Sequence, residues 1–153
     1  DAAMVTCSSI GQAVTDARPF IGIPVLRIDE AMAEAAVAQG QRIGVAATLR
    51  TTLDPTLALL ETTAQREGKS IETIPCLCDG AFEAVLNGKT DLHDQLVSEA
   101  IKNLVQRTDV VVLAQASMAR VLASAPANGT PILTSPRLAM ERARRLWQRE
   151  ARV

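Results

Sequence analysis

A chain of 153 residues, 48% of them hydrophobic and with a formal net charge of -1, has enough apolar content to bury a real core and reads as an ordinary globular chain. Its basic residues gather mainly in the last predicted helix, where they read as a solvated face, and this near-balanced charge leaves no footprint for nucleic acid or an anionic membrane. Three cysteines do not make a disulfide framework, no apolar stretch approaches the roughly 20 residues of a membrane span, and no charged-then-apolar leader opens the chain, so a cytoplasmic setting is expected.

The first apolar run, 3–7, is expected to be a buried strand that delivers Thr6, Cys7, Ser8 and Ser9 to its end, followed by a helical stretch at 11–18. Because this strand begins at once, with no initiator Met, a missing N-terminal part is expected. Further strands are predicted at 22–28, 42–48, 71–78, 109–115 and 131–134, with helices at 30–39, 55–67, 80–87, 92–107, 117–125 and 137–151. The punctuation supports this reading. Asp54 is a candidate N-cap with Pro55 at the first helical position, Asp91 a candidate N-cap with Asp94 three residues on, and Ser135 precedes Pro136. Gly40 and Gly68 are placed to close two helices. Strands and helices alternating at these lengths imply right-handed βαβ units and a mainly parallel sheet covered on both faces, an α/β fold. The Ala-rich helix at 30–39 reads as a tightly packed connector, after which the strand pattern restarts, so a domain boundary is expected near residue 40.

In an open parallel sheet, ligands gather at the carboxyl ends of strands. Three clusters stand there: Thr6-Cys7-Ser8-Ser9, Thr48-Leu49-Arg50-Thr51-Thr52, and Ala114-Gln115-Ala116-Ser117. Each joins small or hydroxyl residues to a predicted helix N-terminus, whose free N–H groups and dipole favour an anion. Together they describe a pocket for a small carboxylate beside a thiol. Cys7 itself has two readings, a structural core cysteine or a reactive thiolate served by the neighbouring hydroxyls. Cys76 and Cys78 alternate on a strand and share a face. With His93 they fall short of a metal-ligand set, so no metal is expected and both read first as core residues. His93-Asp94 reads as the opening turn of a helix, with a proton-shuttling His93 as the sharper alternative.

The chain resembles the aspartate/glutamate racemase superfamily, which includes amino-acid and hydantoin racemases, maleate isomerases and arylmalonate decarboxylases. The resemblance is carried by Val5-Thr6-Cys7-Ser8-Ser9, by Arg42-Ile43-Gly44-Val45-Ala46-Ala47-Thr48 with Thr51 three residues later, and by Val112-Leu113-Ala114-Gln115-Ala116-Ser117-Met118-Ala119. It implies two similar Rossmann-like or flavodoxin-like parallel-sheet domains with the site in the cleft between them. Residues 1–39 and 136–153 would belong to the first, incomplete here, and 40–135 to the second. It also implies a cofactor-independent isomerase or racemase acting on a small carboxylate, amino-acid-like or hydantoin-like. Cys7 would be the catalytic thiol, and Thr6, Ser8, Ser9, Thr48, Thr51, Ala116 and Ser117 would bind the substrate. Homo-oligomerisation is left open.

Family racemases use two thiols, one on each face of the α-carbon. The second should fall where this chain has Gln115, which cannot exchange a proton as a thiol does; hydrogen-bond donation to a developing oxyanion is the role expected for it. Two alternatives stay open, a single-thiol lyase of the malonate-decarboxylase type and a non-catalytic carboxylate-binding domain. Cys78 or His93 could also replace the lost thiol.

Overall fold

The computed structural model describes residues 1–124 and 129–150. Six strands, β1 (Ala3–Val5), β2 (Val25–Arg27), β3 (Arg42–Ala47), β4 (Glu72–Leu77), β5 (Val110–Leu113) and β6 (Ile132–Thr134), lie within the spans predicted for them. All pairings are parallel. β1 and β2 form a two-stranded sheet, and the other four form a second sheet in the order β4-β3-β5-β6. The fold is α/β, as the alternating pattern requires.

Period-two alternation explains how the larger sheet is covered. Ile43, Val45 and Ala47 of β3, with Val110 and Val112 of β5, face a core completed by two helices, α2 (Glu30–Gln39) and α3 (Arg50–Arg66). Ala46, Val111 and Leu113 face the opposite core, completed by α4 (Ala81–Leu86), α5 (Thr90–Leu104) and the 3-10 stretch Ala116–Ser124. Leu60 and Ile101 are fully buried, one on each side. Each such side chain contributes about 1.5–3 kcal/mol of transfer free energy. β4 is an edge strand, which is why Pro75, having no N–H to donate, is tolerated within it.

The remaining helices are α1 (Gly11–Ala17), between β1 and β2, and α6 (Ser135–Glu150), which packs against α2. Ion pairs lace that region together. Arg18 grips Glu30 in two bonds of 2.6 and 2.8 Å, Arg142 reaches Glu30 at 3.6 Å and also binds Glu34, and Arg66 binds Glu34 at 2.9 Å. A deeper pair, Arg27 with Asp29, is closed by two 3.0 Å bonds.

Several predicted helix ends move. α3 starts at Arg50, five residues before the predicted 55, because Leu49 O accepts the amides of Thr52 and Leu53 at 3.1 and 2.9 Å and so begins the helix there. Pro55 then lies inside the helix, and Asp54 is not its cap. Likewise α5 begins at Thr90, with Asp91 in its first turn rather than capping it. The predicted helix at 117–125 is a 3-10 stretch through Ser124, its last residue lying outside the described ones. Ser135 opens α6 as a helical residue. Gly68 closes α3 with φ +64°, while Gly40 is extended and is glycine for another reason: a Cβ there would lie 2.7 Å from Asp109 Cβ. No described helix is long and apolar enough to cross a membrane.

Candidate active site

The carboxyl ends of both sheets converge on one cleft of about 210 Å³, below the roughly 300–1,000 Å³ typical of drug-sized pockets. The end of β1 contributes Thr6, Cys7, Ser8 and Ser9, and the end of β5 contributes Ala114, Gln115, Ala116 and Ser117. Ile28 after β2, Thr52 in the first turn of α3 and Ser135 after β6 complete the lining. Seven of the nine predicted site residues are therefore brought together. The other two differ: Thr48 lies behind Gln115, and Thr51 is an exposed residue of the first turn of α3, with Thr52 lining the cleft in its place.

Cys7 is exposed, which removes the reading of it as a core cysteine. It occupies the extended N-cap position (φ -117°, ψ 110°) of the 3-10 turn Ser8–Ile10, which runs on into α1. No side chain caps that turn, so Ser8 and Ser9 are turn residues whose first backbone N–H groups lack intrahelical acceptors. The turn packs against α3, so α3 carries both the Ser8–Ile10 turn and Thr52.

Across the cleft, Gln115 is held by Thr48. Its Oε1 accepts the Thr48 amide at 2.6 Å and lies 3.0 Å from Thr48 Oγ1, and its Nε2 donates to the same hydroxyl at 2.8 Å. An amide nitrogen carries two hydrogens, so the second N–H of Nε2 remains for a ligand. This clamp ties the end of β3 to the end of β5 where the predicted second thiol would stand. Ser135 is sealed at 1% exposure and its Oγ meets Met32 Sδ at 3.4 Å. The sequence assigns Ser135 only a capping role, does not mark Ile28, and places Thr52 in the second cluster without giving it a binding role. The adjacent hydroxyl pair Thr51-Thr52 was the available signal for Thr52.

Among the described residues, no Lys, Arg, His, Asp or Glu lines the cleft. A carboxylate bound there would have its charge met by backbone N–H groups, hydroxyls and the Gln115 amide, a set of fixed dipoles. Cys76, Cys78 and His93 lie away from this lining. His93 is buried on α5 with Nδ1 2.8 Å from Asp94 Oδ1, and Asp94 Oδ2 receives Arg120 Nε at 3.1 Å, which fastens α5 to the 3-10 stretch after Gln115. Among the described residues no group of three or more His, Cys, Asp or Glu is placed to hold a metal.

The family model described as Asp/Glu/Hydantoin racemase matches residues 1–143. Among solved structures, a glutamate racemase from Bacillus anthracis superposes with a TM-score of 0.73 at 20% identity, covering 97% of this chain and 58% of that one. A glutamate racemase from Francisella tularensis in complex with D-glutamate gives 0.71 at 14% identity, with 98% and 58% covered. An allantoin racemase from Klebsiella pneumoniae gives 0.66 at 18% identity, with 97% and 60% covered. These likenesses show a shared fold, and the chain spans about 58% of the length of the first two. No curated protein matches the chain.

Proposed function

The chain belongs to the Asp/Glu/hydantoin racemase family, and on that premise we propose that it carries the catalytic half-sites of a cofactor-independent isomerase acting on a small α-substituted carboxylate through the thiol of Cys7. The observation that carries this reading is the convergence of Cys7 and Gln115, from the ends of β1 and β5, on one cleft whose lining, among the described residues, holds no charged side chain. The sheet of β1 and β2 forms one part of the catalytic unit and the sheet of β3 to β6, with α2 and α3 packed on it, the other, with the cleft between them.

An α-proton beside a carboxylate is weakly acidic, so its removal needs a close, oriented base and fixed donors for the charge that develops. The Cys7 thiolate takes the proton. The amides of Ser8 and Ser9, the Thr6 and Ser117 groups, the Ala116 amide and the free Gln115 N–H receive the carboxylate and the enolate-like oxygen, with Thr48 fixing the Gln115 amide and Thr52, not Thr51, in the cleft wall. Since Gln115 supplies no proton, the proton returns from Cys7 to the face it left. Deuterium exchange with retained configuration, one half of an isomerisation, is the expected reaction of an amino-acid or hydantoin substrate, and proton delivery after loss of CO₂ is the lyase variant of the same one-thiol chemistry. A carboxylate-binding role without turnover is the second reading, favoured by the Gln115 amide already being engaged with Thr48.

Iodoacetamide separates these. Fast carbamidomethylation of Cys7, slowed by a small carboxylate such as D-glutamate, together with α-deuterium incorporation that Cys7→Ser abolishes, is expected. Protected labelling without any exchange or CO₂ release would leave the binding role. Turnover retained in Cys7→Ser would end the thiol mechanism.

A further inference from the structure

Next to the cleft stands a buried ion pair to which the proposed chemistry gives no task. Arg27 and Asp29 flank the cleft residue Ile28, are 5% and 1% exposed, and do not themselves line the cleft. Arg27 Nε and Nη2 donate to the two carboxylate oxygens of Asp29 at 3.0 Å each. Its Nη1 donates to Thr15 Oγ1 at 3.2 Å, and that hydroxyl donates in turn to Gly11 O at 3.2 Å. In the β1–β2 register Arg27 stands beside Val5, two residues before Cys7.

Gly11 shows what this guanidinium supports. It is the first residue of α1, it is buried, and its amide donates to Ser8 O, closing the turn that Cys7 opens. Its angles, φ -57° and ψ -38°, are ordinary helical ones open to any residue, so glycine is required there by space. A Cβ would come closer than 3.0 Å to Nη2, Cζ and Nε of Arg27 alike. The end of an arginine ordinarily swings aside from such a clash, but here Asp29 and Thr15 hold it in place.

For stability alone, a buried ion pair is no better than an apolar pair of similar volume. What it adds is a planar fork fixed in orientation. We infer that Arg27 is a positioning residue for the Cys7 thiol: clamped by Asp29, its guanidinium is the seat on which Gly11 and the Ser8–Ile10 turn rest, and that seat sets where the sulfur meets the α-carbon of the substrate. The inference rests on Cys7 acting as the base.

Arg27→Met combined with Asp29→Val replaces the pair without stranding either charge, and a thermal melt checks the fold. Amide hydrogen exchange at Gly11 should quicken. With D-glutamate as probe, kcat for α-deuterium incorporation should fall about a hundredfold, the cost of a misplacement of about 1 Å, with KM little changed. Arg27→Lys returns a cation to Asp29 but not the fork, and should stay as slow. Gly11→Ala, a change that favours an ordinary helix, should be slow in the parent and add little in the double variant. A folded double variant that keeps the parent's Gly11 exchange or the parent's kcat would overturn the inference. Full activity in Arg27→Lys, which marks a charge-only role, or in Gly11→Ala would do the same, and Gly11→Ala alone decides if the double variant does not fold. A parent that incorporates no deuterium ends the reading of Cys7 as the base without touching the seat; Gly11 exchange and D-glutamate protection of Cys7 against iodoacetamide, both lost if the seat is real and both kept if it is not, then decide.

Discussion

Thr48 holds Gln115 through three contacts of 3.0 Å or less, and that clamp makes two substitutions informative. Thr48→Val preserves the shape but removes the hydroxyl, leaving Gln115 anchored only by the Thr48 amide. Ligand affinity should fall by about tenfold, the equivalent of one hydrogen bond of about 1.5 kcal/mol, while the melting temperature moves little; calorimetric titration with a small carboxylate reads the first and thermal denaturation the second. Gln115→Cys places a thiol on the face opposite Cys7. Solvent deuterium should then enter the α-position with loss of configuration, at a low rate, because a misplacement of about 1 Å costs roughly a hundredfold. Racemisation by the parent itself would show that another group delivers the second proton.

Helix α2 joins the charged lattice to the core, since Glu30 and Glu34 on one side meet Arg18, Arg66 and Arg142 while Met32, Ala36 and Val37 are buried. Burial pushes the Glu30 carboxyl up, but the hydrogen bond and charge of Arg18 and the charges of Arg27 and Arg142 outweigh it, so the group titrates below the usual carboxylate range. The unfolded chain, with a glutamate near about 4.3, binds the proton first as pH falls. The stability from Glu30 is therefore complete above that value and lost as pH drops through the folded one. Glu30→Gln should cost about 1–3 kcal/mol at neutral pH and flatten the fall in stability below about pH 4.5, read by urea titrations across that range. The same scale shows what the sequence makes legible. Continuous apolar runs such as Val110–Leu113 declare their strands, because four consecutive Val and Leu residues suit a strand buried on both faces. The start of α3 is not legible from Asp54-Pro55, because the helix begins where Leu49 leaves β3, a position set by the sheet and not by the strongest cap nearby.

At the scale of the molecule, the cleft is assembled from chain segments more than a hundred residues apart, Thr6–Ser9 and Ala114–Ser117, and neither sheet contains it alone. That convergence is anticipated by a topological rule about strand ends, whereas the Thr48–Gln115 clamp and the burial of Ser135 depend on side-chain packing that no periodicity encodes. A ligand seated between the two sheets should stabilise both rims together. At a hundred times its dissociation constant, a small carboxylate adds about 2.7 kcal/mol to apparent stability if it binds only the folded chain. Hydrogen exchange resolves where that stabilisation falls. Amide protection should rise in the Ser8–Ile10 turn and in Ala116–Ser117 alike, with Leu60 and Ile101, far inside the two cores, changing only as much as global stability does. Protection confined to one rim would mean that the ligand rests on a single sheet, and the opposing placement of Cys7 and Gln115 would then have no bearing on its chemistry.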